Sequence, residues 1–226
     1  NNLAKQLRSK RFEHGAINFE TPEVRFRLDN EGNPTDIVFH HSTDANYLIE
    51  EFMLLANRIV AREIVDKPFV YRVHDVPDPE KLVRLGNFIR QFGFHLRTSN
   101  KRSVQNKHIN ALLDSCQGSN SQMLIETLAI RSMAKAVYST SNIGHYGLAF
   151  PYYTHFTSPI RRYPDMMVHR LVSRYLLQSK LPCRHEKEVL EEACVHCSDT
   201  EQMAQMAERD SIKQMQARWI SKHIGE

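Results

Sequence analysis

The sequence predicts an α+β fold that is mostly helical, with a few short antiparallel strands. Apolar residues recur at the three-to-four-residue spacing of a helix over most of the chain, and only short segments alternate with the period of a strand. The chain has 226 residues, of which 41% are hydrophobic and 25% charged. This length and composition are typical of a globular chain with a buried core, and they exclude a disordered or collagen-like chain.

The first third of the chain predicts a helix, a hairpin and a second helix. Helical spacing covers residues 1–14 and ends at Gly15, whereas residues 17–39 alternate on both sides of a turn sequence at 30–34. A longer helix is expected from residue 44, capped by Thr43 or Asp44 and buried along its length. Its apolar stripe consists of Leu48, Ile49, Phe52, Leu55, Ala56, Ile59, Val60 and Ile64.

The same patterns continue to the end of the chain. A strand is predicted at 69–73, helices at 79–93, 104–116 and 122–138, a strand-like run at 146–150, and a single long helix from 186 to the end. Ser158 and Pro159 are typical of a helix start, with the serine at the cap and the proline at the first helical position.

Composition also narrows the function. The 30 basic and 26 acidic residues give a net charge of +4, which permits a polyanionic partner without requiring one. No apolar run approaches the roughly 18 to 20 residues that a membrane span needs, so no membrane association is expected. Four cysteines are too few for a disulfide scaffold and favour reduced thiols in the cytoplasm.

The stretch from Tyr152 to Arg162 combines aromatic, hydroxyl and basic side chains. A helix start at Ser158 would offer free backbone N–H groups to an anion, and Arg161, one turn into that helix, would add a guanidinium for two phosphate oxygens. The aromatic residues before it could stack on the bases of a single strand. Alternatively, the aromatic residues fill the core and the two arginines pair with acids; the residues alone leave both interpretations open.

The sequence HFTSPIRRYPD at residues 155–165, followed by VHR at 168–170 and preceded by GHYGL at 144–148, resembles the signature of the RNase II/RNase R family, whose catalytic unit is the RNB domain. The likeness is greatest to the bacterial ribonuclease R branch. Shorter matches in the family's order extend it over nearly the whole chain: GAI at 15–17, IEE at 49–51, Ala56 with Asn57, RVHD at 72–75 and HCS at 196–198.

The resemblance implies an exoribonuclease that processively degrades single-stranded RNA from its 3′ end to nucleoside monophosphates by magnesium-assisted hydrolysis. Arg161 matches the arginine that contacts the scissile phosphate, where it would neutralise developing charge. Glu50 matches the glutamate that accepts a hydrogen bond from a ribose hydroxyl, with Glu51 as the next candidate. Further RNA contacts are expected from the rest of the motif and from a position near the end of the chain: Tyr152, His155, Ser158, Arg162 and Glu208.

The magnesium ligands of the family are a cluster of aspartates with an Asp-Asp pair, and this chain has no such pair. Asp75 and Asp78 have the wrong spacing. We therefore expect residues 1–226 to be the C-terminal part of an RNB catalytic domain, with the aspartate cluster and the cold-shock domains upstream and an OB-fold domain downstream. An exposed apolar face is expected where the missing part packs, the chain alone is expected to be inactive, and the whole enzyme is expected to be a monomer.

Three alternatives remain. Cys194, His196 and Cys197, with Cys183 and His185, have zinc-ligand side chains, but Cys194 and Cys197 fall in a helical stretch, so buried small side chains are the favoured interpretation. A catalytically dead RNB-type protein that only binds RNA would carry the same motif. A helical scaffold unrelated to RNA would require the motif to be a coincidence.

Overall fold

A computed structural model describes residues 1–18, 23–97, 102–221 and 224 of the chain. The helices and strands follow in the order α1 (Asn2–Glu13), β1 (Glu23–Leu28), β2 (Pro34–His40), α2 (Asp44–Glu63), β3 (Tyr71–Val73), α3 (Pro79–Ile89), α4 (Arg102–Cys116), α5 (Gln122–Ser132), β4 (Val137–Ser139), α6 (Tyr163–Val172) and α7 (Glu186–Ser221). The predicted α+β class is confirmed. The hairpin's predicted residues 19–22 and the chain end at 222–223 and 225–226 lie outside the described residues.

The predicted hairpin is present as β1 and β2, which pair antiparallel with Phe26 opposite Ile37. The Asp29 carboxylate accepts hydrogen bonds from the backbone N–H groups of Glu31 and Asn33, at 3.0 and 2.8 Å. Gly32 has a φ of +79°, a conformation that side chains with a Cβ rarely adopt. The turn is therefore stabilised by residues whose chemistry suits it.

Helix α2 begins where the sequence predicts but buries a different face. Thr43 and Asn46 form a capping box at its N-terminus. Its buried residues are Glu51, Leu54, Asn57 and Ala61, whereas Ile49, Phe52 and Ile59 of the predicted stripe are exposed. The prediction of burial along that stripe is wrong because two polar residues of the opposite face find partners on α1 and on the loop before α6.

The structure differs from the sequence prediction at residues 122–138, where a second two-stranded sheet forms, and at residues 146–150. Helix α5 ends at Ser132, and the residues after it form β4, which pairs antiparallel with β3 through Arg72 and Tyr138. Residues 146–149 form a turn between His145 and Phe150, which bridge each other through their backbones. The first error arises because pairing with residues about 65 positions away overrides the local apolar pattern, and the second because the apolar run closes into a turn.

The buried side chains form two main cores among the described residues. The first, between the β3–β4 sheet and helices α6 and α7, comprises Ala61, Ile64, Phe69, Val70, Tyr71, Val73, Tyr138, Met167, Val168, Leu171, Tyr175, Cys194 and Cys197. The second, between α3, α4 and α5, comprises Ile17, Leu82, Leu85, Ile89, Ile109, Leu112, Leu113, Cys116, Ile125, Ala129 and Tyr146. The interpretation of Cys194 and Cys197 as small buried side chains is confirmed.

Helix α7 confirms the long C-terminal helix and braces the small sheet. Ser198 on α7 accepts a hydrogen bond from the backbone N–H of Tyr138 at 2.9 Å. The Arg72 guanidinium donates to both carboxylate oxygens of Glu201 at 2.6 and 3.1 Å. No helix in the described part of the chain combines the length and the apolar character needed to cross a bilayer.

Candidate active site

The turn at residues 157–161 carries Arg161, and it is not the helix that the sequence predicts. Helix α6 begins at Tyr163, with Arg162 as its N-cap in an extended conformation. A helix that began at Pro159 would contain Pro164 in its interior, where proline removes a backbone hydrogen bond and clashes with the preceding turn at a cost of about 3 kcal/mol. Pro164 instead lies in the first turn of α6, where it is tolerated. The predicted anion site at a helix N-terminus opened by Ser158 is therefore wrong.

The turn faces α2 across an open cleft of about 630 Å³. Asn46, Glu50 and Asn57 line the cleft from α2, and Tyr153 lies between the two walls. The opposite wall is formed by Thr157, Ser158, Arg161 and Arg162. The structure thus brings four of the predicted site residues, Glu50, Ser158, Arg161 and Arg162, into one cleft.

The two neighbouring arginines differ in what they contact. Arg162 donates from Nη2 to Oδ1 of the buried Asp165 at 2.8 Å, so its charge is largely compensated within the protein. Arg161 is exposed, and among the described residues its guanidinium makes no hydrogen bond or ion pair. A guanidinium offers a planar fork of donors that matches two oxygens of a phosphate. Arg161 is therefore the cation that the cleft presents to a ligand.

The two neighbouring glutamates also differ in their exposure and in what they contact. The Glu51 side chain is 3% exposed and is bound by Nε and Nη2 of Arg11, with Nε at 3.1 Å from Oε1. Glu50 is almost half exposed, lines the cleft, and accepts from Arg11 Nη2 at 3.1 Å. Glu51 lies behind the cleft in a buried ion pair, so Glu50 is the carboxylate placed to meet a ligand.

Three other predicted residues lie outside the cleft lining. Tyr152 is half-buried and packs against the first core, while its neighbour Tyr153 takes the place in the cleft. His155 contacts Tyr138 behind the cleft, with Nδ1 at 2.8 Å from the phenol oxygen. Glu208 is exposed on α7. Their roles as RNA contacts stay predictions.

The sequence reasoning missed Asn57 and Asp165, which are almost completely buried beneath the cleft. Asn57 interrupts an otherwise apolar spacing on α2, between Leu54 and Ala61, and Asp165 follows a proline in the first turn of α6. A polar residue at a buried position must be paired, so this pattern is the signal that could have identified both.

His155 gives the cleft region a pH dependence of stability. Burial, together with the positive charges of Arg162 and Arg72, lowers the pKa of His155 from 6.5 to about 2. The unfolded chain binds this proton below about pH 6.5 and the folded chain does not. The free energy of unfolding is therefore unaffected by this group above that pH. It falls on acidification, by up to about 1.4 kcal/mol per pH unit.

Denaturant titrations of wild type and His155→Gln between pH 7 and pH 4.5 measure this contribution. We expect the wild type to lose stability more steeply than the variant as the pH falls. Parallel slopes for the two proteins would contradict a neutral, buried His155.

The described residues do not fit a magnesium site. No group of three or more His, Cys, Asp and Glu side chains among them is arranged to hold a metal ion. Near Arg161, Asp165 is engaged with Ser158 and Arg162, and Glu50 with Arg11. Asp78 caps α3 by accepting from the N–H of Glu80.

The fold and the motif define the class of the protein. The sequence model of the RNB domain matches residues 1–178. The chain belongs to the RNB domain family.

Within this family the chain is similar to ribonuclease R. It is 44% identical to ribonuclease R of Thermotoga maritima and 37% identical to that of Aquifex aeolicus, in each case over 99% of this chain and 32% of the relative. It is also 34% identical to DIS3-like exonuclease 2 of Schizosaccharomyces pombe, of which it covers 24%. The chain thus spans about a third or less of the length of these curated relatives.

Solved structures of ribonuclease R have the same fold. The apo form of Mycoplasma genitalium RNase R matches with a TM-score of 0.90 and 29% identity, over 99% of this chain and 36% of that one. The same protein in complex with ribose-methylated single-stranded RNA matches with a TM-score of 0.89, and 28% identity over the same shares. Yeast Ssd1, described as a pseudonuclease, matches at 27% identity with a TM-score of 0.56, over 67% of this chain and 19% of that one.

Proposed function

We propose that this chain is part of a 3′ to 5′ exoribonuclease that hydrolyses single-stranded RNA to nucleoside monophosphates. The observation that carries the proposal is the Arg161 guanidinium, exposed and without a partner among the described residues, facing Glu50 across the cleft of an RNB domain chain. The similarity to ribonuclease R supports RNA as the substrate, since one such relative has been solved with RNA bound.

In this proposal each cleft residue binds a different part of the RNA. Arg161 holds the scissile phosphate and stabilises the charge that builds on its oxygens, most strongly where water is excluded. Glu50 accepts a hydrogen bond from a ribose hydroxyl, which favours RNA over DNA. Thr157 and Ser158 line the same wall as Arg161 and would add hydroxyl groups to the binding of a phosphate or sugar there.

Other properties of the whole protein belong to the same proposal. Magnesium assists the hydrolysis through ligands outside this chain, as the resemblance to the family implies. Processive action, a monomeric state and flanking cold-shock and OB-fold domains follow from the resemblance stated above, and a cytoplasmic location from the small number of cysteines.

The test is product analysis with the full-length protein that contains this chain. With magnesium and a 5′-labelled single-stranded RNA, we expect progressive shortening from the 3′ end and release of nucleoside 5′-monophosphates, whereas internal cuts or no products would contradict the proposal.

The 226-residue chain alone, shown to be folded by circular dichroism, is expected to release no mononucleotides under the same conditions. Turnover by the chain alone would show that it holds a complete metal site. It would thereby overturn the assignment of the magnesium ligands to another part of the protein.

A second candidate is an RNA-binding protein without nuclease activity. It is favoured by the likeness to yeast Ssd1, a pseudonuclease. Arg161 and Glu50 would serve RNA binding equally well, so the discriminating result is tight RNA binding by the full-length protein with no magnesium-dependent product.

A further inference from the structure

Side chains from two helices hold the backbone leading to Arg161. The Oδ1 atom of Asn57, on α2, accepts hydrogen bonds from the backbone N–H groups of Phe156 and Thr157 at 3.0 and 3.2 Å. The next N–H, of Ser158, donates to Oδ1 of Asp165 on α6 at 2.8 Å. Three consecutive backbone donors are therefore satisfied by side chains rather than by secondary structure.

The two anchoring side chains are buried, which strengthens these bonds and raises the cost of losing them. Asn57 is 3% exposed and Asp165 is 0% exposed. Phe156, Thr157 and Ser158 are partly buried, so an N–H group there that loses its acceptor pays a desolvation penalty that water offsets only in part. Any change to either side chain therefore acts first on the backbone of residues 156–158.

The amide of Asn57 uses both its acceptor and its donor. While Oδ1 accepts from two N–H groups, Nδ2 donates to the hydroxyl of Tyr153 at 3.2 Å. A carboxylate would supply the acceptor but no donor, and an alanine would supply neither. This one side chain thus ties together α2, the aromatic residue in the cleft and the start of the turn.

Asp165 completes the arrangement at the other end of the turn. The same Oδ1 atom that binds Ser158 also accepts from Arg162, which draws that arginine toward the protein. The carbonyl of Ser158 accepts from the backbone N–H groups of Arg161 and Arg162 at 3.3 and 3.1 Å. Ser158 is thereby fixed on both sides, and Arg161 follows three residues later, bonded to the Ser158 carbonyl through its own backbone N–H.

We propose that Asn57 and Asp165 are positioning residues that hold residues 156–162 in the conformation that presents the Arg161 guanidinium to the scissile phosphate. This inference rests on the exoribonuclease function proposed above. Neither residue reaches the reacting atoms; each acts through the backbone that carries Arg161. A displacement of about 1 Å at a catalytic group costs roughly a hundredfold in rate, so small shifts of this turn are sufficient.

A double-mutant cycle in the full-length protein tests the inference, with the single-turnover rate of RNA hydrolysis and the RNA dissociation constant measured separately. Asn57→Ala is expected to lower the rate about tenfold to hundredfold and to change the dissociation constant by less than about threefold. In an Arg161→Ala background the same change is expected to lower the rate by less than about threefold, because the group it positions is gone.

Asn106→Ala is the matched control. Asn106 is equally buried, at 2% exposed, and its Nδ2 donates to the carbonyls of Gly15 and Tyr146 at 2.7 and 3.2 Å, so it holds a different loop. Its effect on the rate is expected to be small and the same in both backgrounds. Comparable losses of melting temperature in the two asparagine variants separate positioning from loss of stability.

Asp165→Asn keeps the shape of the side chain and provides a second cycle if Asn57→Ala fails to fold. A smaller loss of rate for Asp165→Asn in the Arg161→Ala background than in the wild type supports the inference. If Arg161→Ala is strongly impaired and the fold loss of the double variant equals the product of the two single losses, the positioning role is overturned. The proposed function then stays intact. If Arg161→Ala hydrolyses RNA at the wild-type rate, the proposed function of Arg161 fails instead.

Discussion

Replacement of Arg161 by alanine is expected to lower the rate of RNA hydrolysis by the full-length protein about a hundredfold to a thousandfold. Preorganised donors that stabilise developing charge typically contribute about 3 to 4 kcal/mol to the transition state. Arg161 has the position for this role because its guanidinium is exposed in the cleft and has no partner among the described residues. Single-turnover hydrolysis of a short RNA measures the loss without interference from product release.

Arg131→Ala is the control for this prediction, because Arg131 is exposed in the last turn of α5 and does not line the cleft. The same loss of one positive charge there is expected to change the rate by less than about twofold. Equal losses of rate for the two variants would mean that the net charge of the protein, rather than the position of Arg161 in the cleft, determines the rate.

Replacement of Glu51 by alanine is expected to destabilise the folded chain by about 3 to 5 kcal/mol. The Arg11 side chain is 6% exposed and its Nε and Nη2 both bind Glu51, so the substitution leaves a buried guanidinium without its main counter-ion. Equilibrium denaturation, read as the shift of the midpoint at a constant slope, measures this loss.

Glu50→Ala serves as the matched control on the same helix. Its carboxylate also contacts Arg11, but the side chain is 45% exposed, so water replaces much of the lost interaction. A cost of about 1 kcal/mol or less is expected. If Glu50→Ala destabilised the chain as much as Glu51→Ala does, the assignment of one glutamate to the structure and the other to the cleft would be wrong.

The parts of the fold that local sequence predicts are those that local interactions stabilise. Helix α2 starts at its Thr43 and Asn46 capping box, the hairpin turns at Gly32, and helix α7 extends over a long polar and apolar pattern. Strand β4 is different, because this segment of only three residues becomes a strand by pairing with β3. No local pattern reveals a partner so far away in the sequence.

The site was predicted in composition but not in conformation. The motif identified Arg161 and Glu50, and the structure places both in the cleft. The Ser158-Pro159 capping pattern predicted a helix start, which Pro164 makes unfavourable, and the apolar spacing of α2 predicted a buried stripe that omitted Asn57. The buried face of α2 depends on hydrogen bonds to residues nearly a hundred positions away, so hydrophobicity alone could not identify it.

Photo-crosslinking tests most directly the central claim that the 3′ end of RNA occupies the cleft between α2 and the turn before α6. The probe is a single-stranded RNA with 4-thiouridine next to its 3′ end, bound to the full-length protein without a divalent metal and mapped by mass spectrometry. We expect adducts within residues 45–57 or 153–162, the two walls that contain Glu50 and Arg161. Adducts confined to α3, α4 and α5, with none on either wall, would contradict the account.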